Sequence, residues 1–333
     1  MMPIARIVLG GACACAFAGL APPPPARAAL PVGVMSERRL LAPGDHVRRV
    51  DGVRIAYHVA GTGPLLIVLS PDWGIGSGYL RAGLQPLERY RTVVFVDERG
   101  SGGSERPADS RAMGYHDMAG DLEALRIAWG LTRMDVLGHS AGATIAMDYA
   151  ATHPGRVRKL LLVDAELPGL DVSAPRSRFK ERWSHDPAHA EALRHYDDPM
   201  PKTDAGFSLY LRRTIAWYFS DPSRNAGPFA AAIPPTLPAW TLAASSRADQ
   251  LQTSRAPIAL ERIAGALTLI VVGRDDAECP VEMADAIGTR IPRSKLVVLE
   301  RSGHFPWIEA RRAFLSTVRS FLANSAPMSA PRG

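Results

Sequence analysis

The pentapeptide Gly138-His139-Ser140-Ala141-Gly142 sets a hydroxyl midway between two glycines. A short run, Met134 to Leu137, apolar apart from Asp135, precedes it, and a run of helical spacing, Ala143 to Ala151, follows it. A strand-to-helix turn this sharp strains its central residue, and side chains at the two glycine positions would collide. The serine oxygen then stands near the positive end of the helix. A serine hydroxyl is a poor nucleophile until a base takes its proton. Two later segments carry suitable groups in the order acid, then base. Gly273-Arg274-Asp275-Asp276-Ala277-Glu278-Cys279-Pro280 offers three carboxylates, and Ser302-Gly303-His304-Phe305-Pro306 offers an imidazole. The pattern assigns Ser140 as nucleophile and His304 as general base. On the residues alone, the acid is one of Asp275, Asp276 and Glu278.

These groups need a frame that brings three distant segments together. Apolar-rich runs of strand length recur at Leu65–Leu69, Thr92–Val96, Met134–Leu137, Leu160–Val163, Leu267–Val272 and Leu296–Leu299, with Thr92, Asp135 and Thr268 their only polar members. Such runs mark strands buried on both faces. Arg48 to Ala60 reads as a hairpin turning at Asp51-Gly52. Between the strands lie segments of helical spacing at Leu80–Leu87, Met118–Trp129, Ala143–Ala151, Val281–Ile291 and Trp307–Leu322. This alternation predicts an α/β protein with a mostly parallel, doubly wound sheet of about eight strands. The acid and base segments both follow strands, at the carboxyl edge where open α/β sheets place their chemistry. The alternation fails once, from Glu166 to Arg262, where no buried-strand run occurs. Helical pieces near Ser177–Tyr196, Phe207–Phe219 and Trp240–Leu251 predict a helical cap over residues 166–262, carrying Trp183, Trp217, Tyr218, Phe219 and Trp240. The core then comprises residues 29–165 and 263–325, with a disordered tail at 326–333.

At the acid loop the sequence resembles the α/β-hydrolase family, and within it the proline iminopeptidase-like branch of serine peptidases. That branch's G-x-x-D-x-x-C-P pattern falls on Gly273, Asp276, Cys279 and Pro280. The resemblance extends over nearly the whole chain after the leader. Asp97-Glu98-Arg99-Gly100-Ser101-Gly102-Gly103-Ser104 is similar to its D-x-R-G-x-G-x-S loop, and Ser302 to Glu309 to its S-G-H-x-P-x-x-E segment. The resemblance implies that Asp276 is the acid, that Asp275 and Glu278 are solvated loop charges, and that the glycine-rich loop braces the site. Asp164, at the end of the sixth strand, is an alternative acid implied by the same resemblance, since some members of the α/β-hydrolase family keep their acid there. Two departures stand out. Where the family has His-Gly after the third strand, this chain has Ser70-Pro71-Asp72-Trp73-Gly74. Proline has no N–H to donate, so the oxyanion hole is expected from the backbone N–H of Asp72 or Trp73, paired with that of Ala141. Ala141 itself stands where the iminopeptidases carry tryptophan. Their amine-binding glutamates lie in the cap, where Glu166, Glu181 and Glu191 are available, and none of these is assigned.

Composition bounds the reading. Of 333 residues, 47% are hydrophobic and 22% charged, enough apolar material for a large core and an added cap. The net charge of +6 is carried by scattered arginines, which gives no nucleic-acid patch. Arg6, the apolar stretch Ile7 to Ala21, the break at Pro22–Pro25 and the small-x-small site Ala26-Arg27-Ala28 read as a secretory signal over residues 1–28. Export to the periplasm or medium is expected, with no other membrane association. Cys13 and Cys15 leave with that segment, so Cys279 has no partner for an intramolecular disulfide, and a thiolate-based metal site is excluded. No cofactor or metal is implied. The expected activity is acyl transfer by an aminopeptidase of the proline iminopeptidase type. The alternatives are an esterase, lactonase or amidase acting on a small hydrophobic molecule, and a non-catalytic small-molecule binding protein of the same fold. The expected partner is a small molecule or short peptide.

Overall fold

The computed structural model describes residues 40–323 apart from Asp72. The expected leader at 1–28 and tail at 326–333 lie outside the described residues. In chain order the elements begin with β1 (Gly44–Val50), β2 (Val53–Gly61), β3 (Leu65–Leu69), α1 (Gly78–Leu84), β4 (Thr92–Val96) and α2 (Tyr115–Ala128). They continue with β5 (Met134–His139), α3 (Ala141–Thr152), β6 (Val157–Val163), α4 (Ser173–Trp183), α5 (Ala190–His195), α6 (Asp204–Thr214), α7 (Pro222–Ala232) and α8 (Ala239–Arg255). The chain closes with β7 (Leu267–Gly273), α9 (Val281–Arg290), β8 (Ser294–Leu299), α10 (Pro306–Glu309) and α11 (Arg311–Ala323).

The eight strands form one sheet in the order β1-β2-β4-β3-β5-β6-β7-β8. β1 runs antiparallel to β2, and β2 antiparallel to β4, while every remaining pair is parallel. The β1–β2 turn has Asp51 at φ 45° and Gly52 at φ 83°, the doubly positive geometry of a tight two-residue hairpin. The central strands bury both faces because consecutive residues feed different cores. Ile67, Leu69, Val94, Val96 and Val136 join one apolar cluster, and Leu66, Val68, Val93, Phe95 and Leu137 join the other. Each fully buried aliphatic side chain of this kind contributes about 1.5–3 kcal/mol, which is why these runs carry no polar alternation.

Between β6 and β7 the chain is helical, with no strand among the described residues. The helix predicted over 177–196 is two helices, α4 and α5. Pro187 lies between them, and Asp186 turns its carboxylate onto His189 Nδ1 at 2.6 Å. The helix predicted over 307–322 is likewise split at Ala310 into α10 and α11. α7 was not foreseen. It starts on Asp221, whose carboxylate accepts from the Arg224 N–H, with Pro222 at the first helical position. Among the described residues no helix is long and apolar enough to cross a membrane.

Candidate active site

β5 ends at His139 and α3 begins at Ala141, leaving Ser140 alone in the turn at φ 56°, ψ −127°. That backbone region is sparsely populated by residues other than glycine, and such strain collects at functional sites. The two glycines are forced by contact. A Cβ on Gly138 would stand 2.4 Å from the Gly142 carbonyl oxygen, and one on Gly142 would stand 2.5 Å from the Leu69 carbonyl oxygen. The hydroxyl therefore sits at the head of α3, with the end of β3 pressed against the turn.

The loop after β7 separates its carboxylates by direction. Asp276 Oδ1 accepts from the N–H groups of Glu278 and Cys279 at 2.9 and 3.0 Å. Asp276 Oδ2 accepts from His304 Nδ1 at 2.8 Å. The loop backbone thus fixes one oxygen and leaves the other for the imidazole. Asp275 and Glu278, expected as solvated loop charges, are not. Asp275 is only 5% exposed, and accepts from Arg182 on α4 and the Ser220 hydroxyl, both at 2.7 Å. Glu278 accepts from Arg176 at 3.0 Å, from Trp217 Nε1 at 3.2 Å and from the Tyr196 hydroxyl. The expectation failed because helices from the segment 166–262 cover this loop and bring cations and donors to its acids. Asp164, the alternative acid, directly follows β6 at φ 44° and is fully buried. Its Oδ1 accepts from the Gly273 N–H at 2.8 Å. Burial first, and the neighbouring Asp276 charge second, hold the Asp164 carboxyl well above the usual carboxylate range. His304 thus bonds to Asp276, and Asp164 stands beside that carboxylate.

His304 is fully buried, and its main-chain N–H donates to the Tyr218 carbonyl at 2.8 Å. Burial alone would depress its pKa. The Asp276 carboxylate more than offsets this, with Glu278 and Glu166 adding to it, so the imidazolium is held above its ordinary range. Nε2 makes no hydrogen bond to any described residue, Ser140 included. A buried polar atom of this kind needs an explanation, and catalytic contacts are often long before substrate binds. The loop that carries His304 is anchored by Glu309, which accepts from the N–H groups of Gly303, Asp221 and Ser220 at 2.7, 2.8 and 3.1 Å.

Ser140 lines a cavity of about 700 Å³. Trp73, Tyr196, Tyr210 and Tyr218 supply aromatic lining, and Glu166, Asp249 and Glu278 supply carboxylates. No lysine, arginine or histidine is among the described lining residues. Ala141 opens α3, so its N–H has no acceptor within the helix. Trp73 lines the cavity and stacks parallel to the His304 ring at 6.3 Å. Asp72, the other residue expected to supply a backbone N–H, lies outside the described residues. The Gly74 N–H is occupied, since it donates to Ser101 Oγ at 3.0 Å. Around that contact Asp97 accepts from Ser77 and Gly103 N–H groups at 2.7 and 2.8 Å, so the glycine-rich loop braces the segment that carries Trp73. Potential ligand atoms of Asp276, Cys279 and His304 lie within 4.8 Å of one another. Burial pushes the Cys279 thiol well above its ordinary value, and Asp276 and His304 already bond to each other.

Sequence reasoning missed Ser220 and Arg182, since no motif marks them, named Tyr218 only as one of the cap aromatics, and gave Glu309 no role although it closes the S-G-H-x-P-x-x-E segment. Of the cap glutamates, Glu166 lines the cavity, whereas Glu191 pairs with Arg213 at 3.7 Å with both side chains about half exposed.

Comparison with known proteins agrees with this architecture. The model of the alpha/beta hydrolase fold family matches residues 74–310. A 2-hydroxymuconate semialdehyde hydrolase of Pseudomonas sp. strain CF600 is 30% identical over 284 residues, covering 82% of this chain and 92% of the relative. A proline iminopeptidase of Heyndrickxia coagulans is 27% identical over 294 residues, covering 82% of this chain and 96% of the relative. The solved structure of the esterase EaEST from Exiguobacterium antarcticum superposes with a TM-score of 0.60 at 24% identity, covering 85% of this chain and all of that one.

Proposed function

The chain belongs to the alpha/beta hydrolase fold family, and from that premise we propose that it is a serine hydrolase cleaving a small ester or amide through an acyl-enzyme. The observation that carries this reading is the bond from His304 Nδ1–H to Asp276 Oδ2 at 2.8 Å, beside a serine held in a strained turn on the same cavity. Nδ1 donates, so in the neutral ring Nε2 keeps its lone pair for the serine proton. His304 takes that proton as Ser140 attacks the carbonyl carbon, while Asp276 holds the tautomer and stabilises the imidazolium. The N–H groups of Ala141 and Trp73 receive the developing oxyanion. The imidazolium then protonates the leaving alcohol or amine. Water, deprotonated by the same nitrogen, releases the acid and restores Ser140.

The lining points to substrates without a carboxylate. Three acids and no basic side chain among the described lining residues would leave a substrate carboxylate uncompensated in a partly dry cavity. This sets the chain apart from the muconate semialdehyde hydrolase, whose name denotes a carboxylate. The same lining favours a second reading, removal of an amino-terminal residue, because a free ammonium suits acids and aromatic faces. The iminopeptidase relative supports it.

The test is labelling of the wild-type protein and Ser140→Ala with a fluorophosphonate probe, followed by turnover of short acyl esters and aminoacyl arylamides. Labelling lost in Ser140→Ala, with ester turnover, supports the first reading. Turnover of arylamides bearing a free amine only supports the second. Absence of both labelling and turnover leaves a ligand-binding protein. Residues 1–28 are proposed as an export signal, and amino-terminal sequencing of protein recovered outside the cytoplasm should begin at Ala29.

A further inference from the structure

The mechanism above does not use His139, the residue between Gly138 and the nucleophile. We infer that His139 is a positioning residue for the general base, held by Tyr79 in a single tautomer and gripping the main chain of His304. The inference rests on the assignment of His304 as base.

His139 ends β5 and is fully buried. Its ring packs among aromatic side chains, with Trp307 at 4.7 Å, Phe305 at 5.7 Å and Tyr79 at 5.8 Å between centroids. An imidazole in such surroundings is costly unless both nitrogens are satisfied, and both are. Nε2 lies 2.9 Å from the His304 carbonyl oxygen, and Nδ1 lies 2.7 Å from the Tyr79 hydroxyl. A carbonyl only accepts, so Nε2 carries the proton. In the neutral ring Nδ1 then accepts from the Tyr79 O–H. Burial is the larger reason that the His139 ring stays neutral, and repulsion from His304 is the second. Burial likewise keeps the Tyr79 phenol protonated. The relay therefore runs in one direction, from Tyr79 O–H to His139 Nδ1 and from His139 Nε2–H to the His304 carbonyl.

The relay matters because of where its ends lie. His304 is held at three points by three different parts of the chain. Asp276 takes its Nδ1–H at 2.8 Å, Tyr218 takes its main-chain N–H at 2.8 Å, and His139 donates to its carbonyl. Of the three holders, only His139 is covalently next to Ser140. A displacement of His139 against His304 is thus a displacement of nucleophile against base, across the one catalytic contact that no hydrogen bond yet fixes. A ring that merely filled space would need neither donor nor fixed tautomer.

His139→Phe keeps an aromatic ring and removes the donor, whereas His139→Gln can return an N–H near the position of Nε2. A 1 Å misplacement in an active site costs on the order of a hundredfold. For the folded His139→Phe protein, kcat and the fluorophosphonate labelling rate should fall about 10- to 100-fold, with KM within about twofold. His139→Gln should recover most of the loss. Tyr79→Phe, which frees Nδ1, should lower kcat by about 3- to 10-fold without a matching change in KM. Three results overturn the inference: a folded His139→Phe with wild-type kcat, a Gln variant no better than Phe, or, should Phe fail to fold, an unaltered kcat in Tyr79→Phe. A wild-type protein that does not label at all removes the hydrolase reading and this inference with it. Normal labelling in wild type and His139→Phe alike removes this inference alone.

Discussion

At the scale of single residues, the proposed mechanism gives the two neighbouring aspartates of the acid loop different tasks. Asp276 spends one oxygen on its own loop and the other on His304, while Asp275 faces Arg182 and Ser220. Asp276→Asn should lower kcat by about four orders of magnitude, since an amide favours the wrong imidazole tautomer. Asp275→Asn should leave kcat within a few-fold and lower stability by about 1–3 kcal/mol, the cost of weakening a buried charge-assisted contact. Steady-state kinetics beside chemical denaturation of both variants separate these outcomes, and a catalytically dead Asp275→Asn would reverse the assignment. Ser140→Ala should leave the fold intact and at most a trace of activity from binding and the oxyanion donors. The pH dependence follows from His304. As the proposed base it would act only when deprotonated, and Asp276 with Glu278 and Glu166 overcome burial to raise its pKa from the ordinary value of 6.5. Activity should therefore rise with pH through a midpoint above 6.5. A profile of kcat/KM whose acidic limb falls at pH 6 or below would contradict that electrostatic account.

Elements place these residues, and here packing leaves little room for change. Gly142 heads α3 against the end of β3, where a methyl group would meet the Leu69 and Ser70 carbonyl oxygens at 2.5 and 2.8 Å. Gly142→Ala should cost at least about 1–3 kcal/mol, because main chain on one side and a strained turn on the other cannot both yield. Thermal unfolding checks this, and an unchanged midpoint would mean that β3 and α3 can part freely. The turn was legible in the sequence because its cause is local: a buried strand, two glycines, a helix. The central strands were legible for a similar reason, since Leu65–Leu69 has no polar residue to place on a wet face and Leu267–Val272 has only Thr268, which is buried. Among the helices from Ser173 to Arg255, boundaries were less legible. α7 depends on a cap and a proline more than on an apolar stripe, and α4 and α5 part where Asp186 finds His189. The surroundings of Asp275 and Glu278 were not legible at all. Their partners Arg182, Ser220, Arg176 and Trp217 come from segments whose position over the acid loop no spacing in the sequence encodes.

At the scale of the whole molecule, the helices between β6 and β7 and the core together line the cavity that holds Ser140. Tyr196, Tyr210 and Leu211 from those helices share the cavity with Trp73 and Ser140 from the core. The same region is pinned to the catalytic loops through Arg182 to Asp275, Arg176 to Glu278, and the Ser220 and Asp221 N–H groups to Glu309. A space of about 700 Å³ suits a compact molecule or a chain end, and a long polypeptide cannot thread through it without breaking those contacts. Casein should therefore yield no internal cuts. Charge should discriminate among small substrates. Consider p-nitrophenyl esters of one acyl length ending in a methyl, a carboxylate or a trimethylammonium group. The carboxylate ester enters a cavity lined by Glu166, Asp249 and Glu278, the last already paired with Arg176, and by no basic side chain among the described residues, so its kcat/KM should fall at least about tenfold below that of the methyl ester, the equivalent of ~1.4 kcal/mol. The trimethylammonium ester should match or exceed the methyl ester, since aromatic faces and acids both attract it. Raising salt should narrow the spread, because screening weakens those terms at the cavity mouth. A preference for the carboxylate ester would mean that a cation from outside the described lining reaches the cavity, and would return this chain to the substrate chemistry of its muconate semialdehyde hydrolase relative.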